Sequence, residues 1–173
     1  MSLSNKYDFT GPTKMHAGCS LRRIYALKSF NGVKKGDVGG WIEKERNLSQ
    51  VGNCWVYGDA VVHGFARITY DATVLDNAEV FGDATIADTA VVGGSAKVYG
   101  AAVISGRALI SGYASVFENA RVMDRAQVYG RAAVRGSALV KGNAQVMDTA
   151  LLSGSAVLGV DYKAKGNVMI TGD

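Results

Sequence analysis

The sequence predicts an all-β fold in which short strands coil and stack in parallel, preceded by a small N-terminal β cap. Three observations predict it. From residue 54 the chain divides into twenty hexads without a gap, from CWVYGD to VMITGD. The first position is alanine in seventeen consecutive hexads, Ala60 to Ala156, and the third is Val, Ile or Leu in nineteen of twenty, Ala164 being the exception. The fifth position is Gly in thirteen hexads and Asp in four.

Each position has a structural reason. Side chains alternate along an extended strand, so positions one and three share a face, one small and one branched. Positions two and four vary among Arg, Thr, Glu, Lys, Gln and Phe, and are expected to face out. Positions five and six carry the Gly, Asp, Asn and Ser of turn chemistry. A chain that turns at every hexad must coil, and its coils stack through parallel ladder bonds around a narrow apolar column. Alanine suits a crowded corner where a larger side chain would overpack. A helix is excluded, because it would carry glycine in most repeats.

The N-terminal segment reads as the cap. Leu21–Phe30 is strand-like, Asn31-Gly32 is a turn and Gly39-Gly40 a second turn. Trp41, Ile42 and Leu48 are expected to cover the open apolar end of the first coil, and the first 15 residues or so to be mobile. The organisation is then a cap over 1–50 and a solenoid over 51–173. At the far end the chain stops within its last turn, closed by Tyr162 and Lys165 or met by another chain.

Composition narrows the classes. The chain has 173 residues and 18.2 kDa, 48% hydrophobic and 20% charged, which is enough apolar content to fold. It contains no apolar run long enough to span a membrane as a helix, and Met1 to Thr10 lacks the apolar core of a signal peptide. Two cysteines, Cys19 and Cys54, make no disulfide framework, so a reduced, cytoplasmic setting is expected. The basic excess is confined to residues 1–50, nine Lys/Arg against four Asp/Glu, with ten against eleven in 51–173. Arg22, Arg23, Lys28, Lys34 and Lys35 supply most of it. No nucleic-acid fingerprint accompanies them, so a solvated rim is the preferred reading and nucleic-acid binding the weaker one.

The spacing from Val56 to Ala60, repeated from Val98 to Ala102, resembles the hexapeptide repeat of left-handed parallel β-helices. That resemblance implies a single-stranded, left-handed, triangular solenoid with three hexads per coil, between six and seven coils here, and packing as homotrimers. The N-terminal run resembles something narrower. Leu21 to Leu27, Gly40-Trp41-Ile42, Asn47 to Gln50 and Asn53 to Tyr57 are similar to the opening of YdcK-type transferases and of short phage and prophage proteins. This implies the fold and a phage or enterobacterial context.

Candidates for chemistry are few. Histidine is the usual base in hexapeptide acyltransferases by that resemblance, and the chain has two, His16 and His63. His63, at position four, is expected to point outward. No hexad is followed by an inserted loop to arch over a substrate, so no catalytic residue is assigned and His63 remains the one candidate. His16 and Cys19 together are two ligands, too few for a zinc site, so no metal is expected. Cys54 takes an inward small position and reads as core. The glycine corners recur every six residues and are no phosphate loop.

With three hexads per coil, residues 18 apart stack about 4.8 Å apart. Position four of one face then runs His63, Phe81, Tyr99, Phe117, a surface aromatic column that serves as ladder support or, preferably, as a contact face for another copy or a host protein. The preferred expectation is a non-enzymatic binding or structural module of a phage, needing no cofactor. The alternative is an acyl-CoA-dependent acyltransferase, with acetyl-CoA lying between adjacent helices and His63 as base.

Overall fold

A computed structural model describes residues 5–173. It is a β-solenoid of about seven turns whose only helical element among the described residues is a 3-10 turn at Glu45–Asn47.

The coil follows from the hexad. Each repeat contributes a two-residue strand at positions two and three, so three strands and three corners complete one turn. On one face Val62 pairs in parallel with Val80, then Val98, Val116, Val134, Leu152 and Ile170. The other two faces repeat this at Val56, Val74 and Val92, and at Ile68, Ile86 and Ile104. The position-three aliphatic residues from Val62 to Val146 and the position-one alanines from Ala60 to Ala144 are completely buried. Each buried Val or Ile contributes about 1.5–3 kcal/mol, which a single thin coil could not assemble without its neighbours.

The corners explain position five. Gly106 has φ +68, and a Cβ there would lie 2.7 Å from the Asp124 backbone nitrogen of the next coil. Aspartate occupies the same left-handed region at Asp76, Asp88, Asp124 and Asp148. There it earns a hydrogen bond: Asp88 Oδ2 accepts from Gly106 N–H at 2.8 Å, and Asp124 Oδ2 from Gly142 N–H at 2.9 Å. An acidic corner is thus followed 18 residues later by a glycine that donates to it.

The N-terminal segment does more than close an end. Strand β1 (Tyr7–His16) and β2 (Cys19–Ala26) form an antiparallel hairpin, so residues 7–15, expected to be mobile, are a strand. The single proline, Pro12, falls where the register shifts between Thr10 and Lys14 on this edge strand, a place that tolerates a missing N–H. Strand β2 pairs antiparallel with β3 (Val38–Ile42), which pairs in parallel with Val61–Val62. Parallel stacking therefore reaches back to Trp41 and Ile42, with Leu48 bridging to Ile68.

Ile42 and Leu48 are fully buried and form the first core layer, as expected. Trp41 differs: it is partly exposed beside Val61, with the Arg23 guanidinium 4.8 Å from its ring. The Asn31-Gly32 turn is present, both residues at positive φ. Gly39-Gly40 is not a turn. Both lie inside β3 with negligible exposure, and a Cβ on either would stand 2.6 Å from Val56. Glycine is there because the strand presses against the neighbouring coil. Tyr162 and Lys165 are exposed and do not close the last coil.

One position expected to face water, Trp55, is covered by this cap, and a lysine of the cap is buried with it. Trp55 is 1% exposed, edge-on to Tyr7 and Phe30 at 6.2 and 5.4 Å. Lys6, next to Tyr7, is 1% exposed, its ammonium donating to the carbonyls of Cys54 at 2.8 Å and Gly52 at 3.3 Å. Burial pushes that ammonium below the usual lysine range, against the pull of Cys54. Cys54 itself is core, as its position predicts, with its thiol pushed up by burial.

Candidate functional site

The tip of the β1–β2 hairpin turns through Ala17-Gly18, both at positive φ, which puts His16 and Cys19 opposite each other in register. That tip lies on the face carrying Val61–Val62 (β5) and Glu79–Val80 (β8); the intervening β4, β6 and β7 are Trp55–Val56, Arg67–Ile68 and Thr73–Val74. His63 follows β5 at position four, and Glu79 occupies position two one coil on. Both project from the same face, and the hairpin tip brings His16 and Cys19 to them.

Glu79 Oε1 lies 2.7 Å from His16 Nε2 and 3.3 Å from His63 Nε2, while Oε2 takes the Lys97 ammonium at 2.9 Å. On the other side of the His63 ring, Nδ1 is 3.8 Å from Cys19 Sγ. Burial works against the Glu79 charge, yet hydrogen bonds from His16, Lys97 and His63 outweigh it and hold the carboxyl at about 2. An ionised carboxylate can only accept. Each histidine therefore turns an Nε2 proton to it, and in its neutral Nε2–H tautomer His63 offers the Nδ1 lone pair to the Cys19 thiol. Burial, with Glu43 nearby, pushes that thiol up, so it remains protonated until something accepts its proton.

Glu43 flanks the cluster but is fully engaged. Its two oxygens take the Lys44 ammonium at 2.6 Å and the Gly64 N–H at 2.7 Å. The Lys44 contact holds its carboxyl below the usual range against burial, with Gly64 and Cys19 helping.

His63 was expected on the open surface; it is 7% exposed, because the hairpin tip covers it. The column it heads is otherwise as the 18-residue register predicts. Ring centroids are 5.1 Å apart for His63–Phe81, 4.8 Å for Phe81–Tyr99 and 4.9 Å for Tyr99–Phe117, with planes within 5° of parallel. Phe81, Tyr99 and Phe117 are half-buried. The column is a surface only beyond the hairpin.

The basic residues of the cap are divided among separate contacts. Arg22 and Arg23 alternate across β2: Arg22 stacks 3.7 Å over Phe9, and Arg23 pairs with Asp59 at 2.6 Å. Lys28, Lys34 and Lys35 are exposed on the loop between β2 and β3. Sequence reasoning paired His16 with Cys19 as two ligands, named His63 by itself, and passed over Glu79 and Glu43. The one available signal for Glu79 was its place beside the column, a carboxylate at position two next to a histidine at position four of the preceding coil.

No protein-family model matches the chain. Over 56 residues it is 48% identical to a protein of Escherichia coli (strain K12) described as uncharacterized acetyltransferase YdcK. The match takes in 28% of this chain and 17% of that protein, so it spans a small part of the relative's length. A stacked-coil solenoid carrying this stretch of sequence fits a hexapeptide-repeat transferase. Among the described residues, no helix is long and apolar enough to cross a membrane.

Proposed function

We propose that the protein transfers an acyl group from an acyl-CoA thioester, with Cys19, His63 and Glu79 as the reacting chain. The observation that carries this reading is the use of both His63 nitrogens, one by Glu79 and the other by Cys19. While Cys19 is a free thiol it stands between His63 Nδ1 and any outside acceptor. His63 is placed to take a proton from the thiol. The name of the partial relative and the solenoid fold support the same class of chemistry.

In the first step Cys19 Sγ attacks the thioester carbonyl and its proton passes to His63 Nδ1. The bond from the acyl carbon to the coenzyme sulfur breaks, and that proton leaves on the coenzyme thiol. In the second step an amine or hydroxyl acceptor takes the acyl group from Cys19, and its proton returns through His63 to the sulfur. Glu79 holds the ring and stabilises the imidazolium.

The test is intact mass and peptide mapping after incubation with acetyl-CoA. Wild-type protein should carry one acetyl group on Cys19, and His63→Gln should carry none. Failure of wild type to become acetylated or to release free coenzyme A overturns the reading. So does a Cys19→Ala variant that still consumes acetyl-CoA at the wild-type rate in the presence of small amines.

A second reading concerns assembly. The rings of Phe81, Tyr99 and Phe117 form a flat apolar strip beside the hairpin, suited to a second copy of the chain. Phe81→Glu combined with Phe117→Glu should lower the mass measured by light scattering; an unchanged mass removes the strip as a subunit interface.

A further inference from the structure

We infer that the hairpin tip and the solenoid face together form a binding site for one zinc-class divalent ion, ligated by His16 Nε2, His63 Nε2 and Glu79 Oε1. The donor types are those such an ion prefers, two imidazoles and a carboxylate. They come from three separate segments, β1, the end of β5 and β8, and converge on one point. A tetrahedral ion with bonds of about 2.0–2.2 Å holds its ligand atoms roughly 3.3 Å apart. The nitrogen-to-oxygen separations here are 2.7 and 3.3 Å and all three ligand atoms lie within 4.8 Å of one another, so an ion would open the His16–Glu79 contact as it entered.

A second group of three, Cys19, Glu43 and His63, also lies within ligating range. The surrounding contacts favour the first. Glu43 already carries Lys44, the Gly64 N–H and the Cys19 thiol, and an ion there would have to compete with all three. Glu79 keeps Lys97 on Oε2 and presents Oε1 to nothing but the two imidazole N–H groups that an ion would replace. Cys19 then stands behind His63 at Nδ1, where a partner fixes the ring and its tautomer. The hairpin gives the site a structural consequence, since an ion would tie His16 of the hairpin tip to the coil beneath it.

Occupancy also bears on the proposed chemistry. With Nε2 bound to a cation, the ring proton moves to Nδ1, which can no longer accept from Cys19. Ion binding and acyl transfer through Cys19 therefore exclude one another; this consequence rests on the function proposed above, whereas the binding does not.

The test uses the full chain, treated with chelator and titrated with zinc chloride by calorimetry, with cobalt absorption as a report on ligand type. One ion per chain is expected. Binding should fall to the buffer level in His16→Ala and in Glu79→Gln, and weaken by at most about tenfold in Cys19→Ser. Zinc should protect the hairpin from proteolysis in wild type and leave His16→Ala unprotected. No binding by wild type, or full binding by His16→Ala, overturns the site. Loss of binding in Cys19→Ser with a thiolate charge-transfer band in the wild-type cobalt spectrum also overturns it, in favour of the Cys19–Glu43–His63 set. If zinc binds as described but does not slow acetylation of Cys19, the site stands and His63 is not the base in that step.

Discussion

Replacing Glu79 with glutamine tests the charge network at the hairpin tip. In the fold its carboxyl sits at about 2 against an ordinary value of 4.5. At about 1.4 kcal/mol per unit, that difference corresponds to roughly 3 kcal/mol of stability supplied by the contacts to His16, Lys97 and His63. The side chain is only 13% exposed, so solvent screening removes little of it. A depressed carboxyl contributes fully above its unfolded value and loses that contribution as pH falls through its folded value. The wild-type advantage over Glu79→Gln should therefore be largest above pH 5, shrink below the unfolded value of 4.5, and vanish near pH 2. Urea unfolding at a series of pH values measures it. Tryptophan fluorescence is the right probe, because Trp41 pairs with Val61 beside Glu79 and Trp55 packs under Tyr7 and Phe30 of the cap. Comparing the two proteins at each pH cancels the titration of groups that do not touch Glu79. A difference independent of pH between 7 and 3 would show that the Glu79 charge does not hold the hairpin, and would refute the network.

Other perturbations separate the coil from the cap. Val98→Asp buries a carboxylate in a dry column and should cost about 4 kcal/mol or more, seen as lost cooperative melting by circular dichroism; a wild-type curve would contradict the inward assignment. Gly106→Ala forces a side chain into left-handed backbone against the Asp124 corner, and should cost about 1–3 kcal/mol in chemical denaturation. Trp55→Ala removes the ring on which Tyr7 and Phe30 close, and should cost about 3–5 kcal/mol. It should raise amide exchange in β1 and β2 while leaving the distant coils protected.

The coil was legible because its causes are local and repeated. Ala60 and Val62 predict the same burial as Ala132 and Val134, and each is at zero exposure. The column from Phe81 to Phe117 needed only the register of 18, which the ladder confirms. The cap was legible where Ile42 and Leu48 enter the core and misread before them, at β1 and at Gly39-Gly40. Gly39-Gly40 looks like a turn in isolation, but its glycines answer to Val56 of the adjacent coil. Trp55, at an outward position of its hexad, is buried because Tyr7 and Phe30 close over it. The cluster was the least legible part, since His16 meets Glu79 across 63 positions and Cys19 meets His63 across 44.

The amino-acid sequence alone determined the solenoid, its inward columns and its acidic or glycine corners. Alternation along a strand and crowding at a corner act on neighbouring residues, and the same solution recurs at every hexad. Only the tertiary structure decided that His16, Cys19, His63 and Glu79 share one site. That depends on where a hairpin of no repeating pattern comes to rest, which is fixed by the sum of distant contacts through Tyr7, Lys6, Phe30 and Arg23.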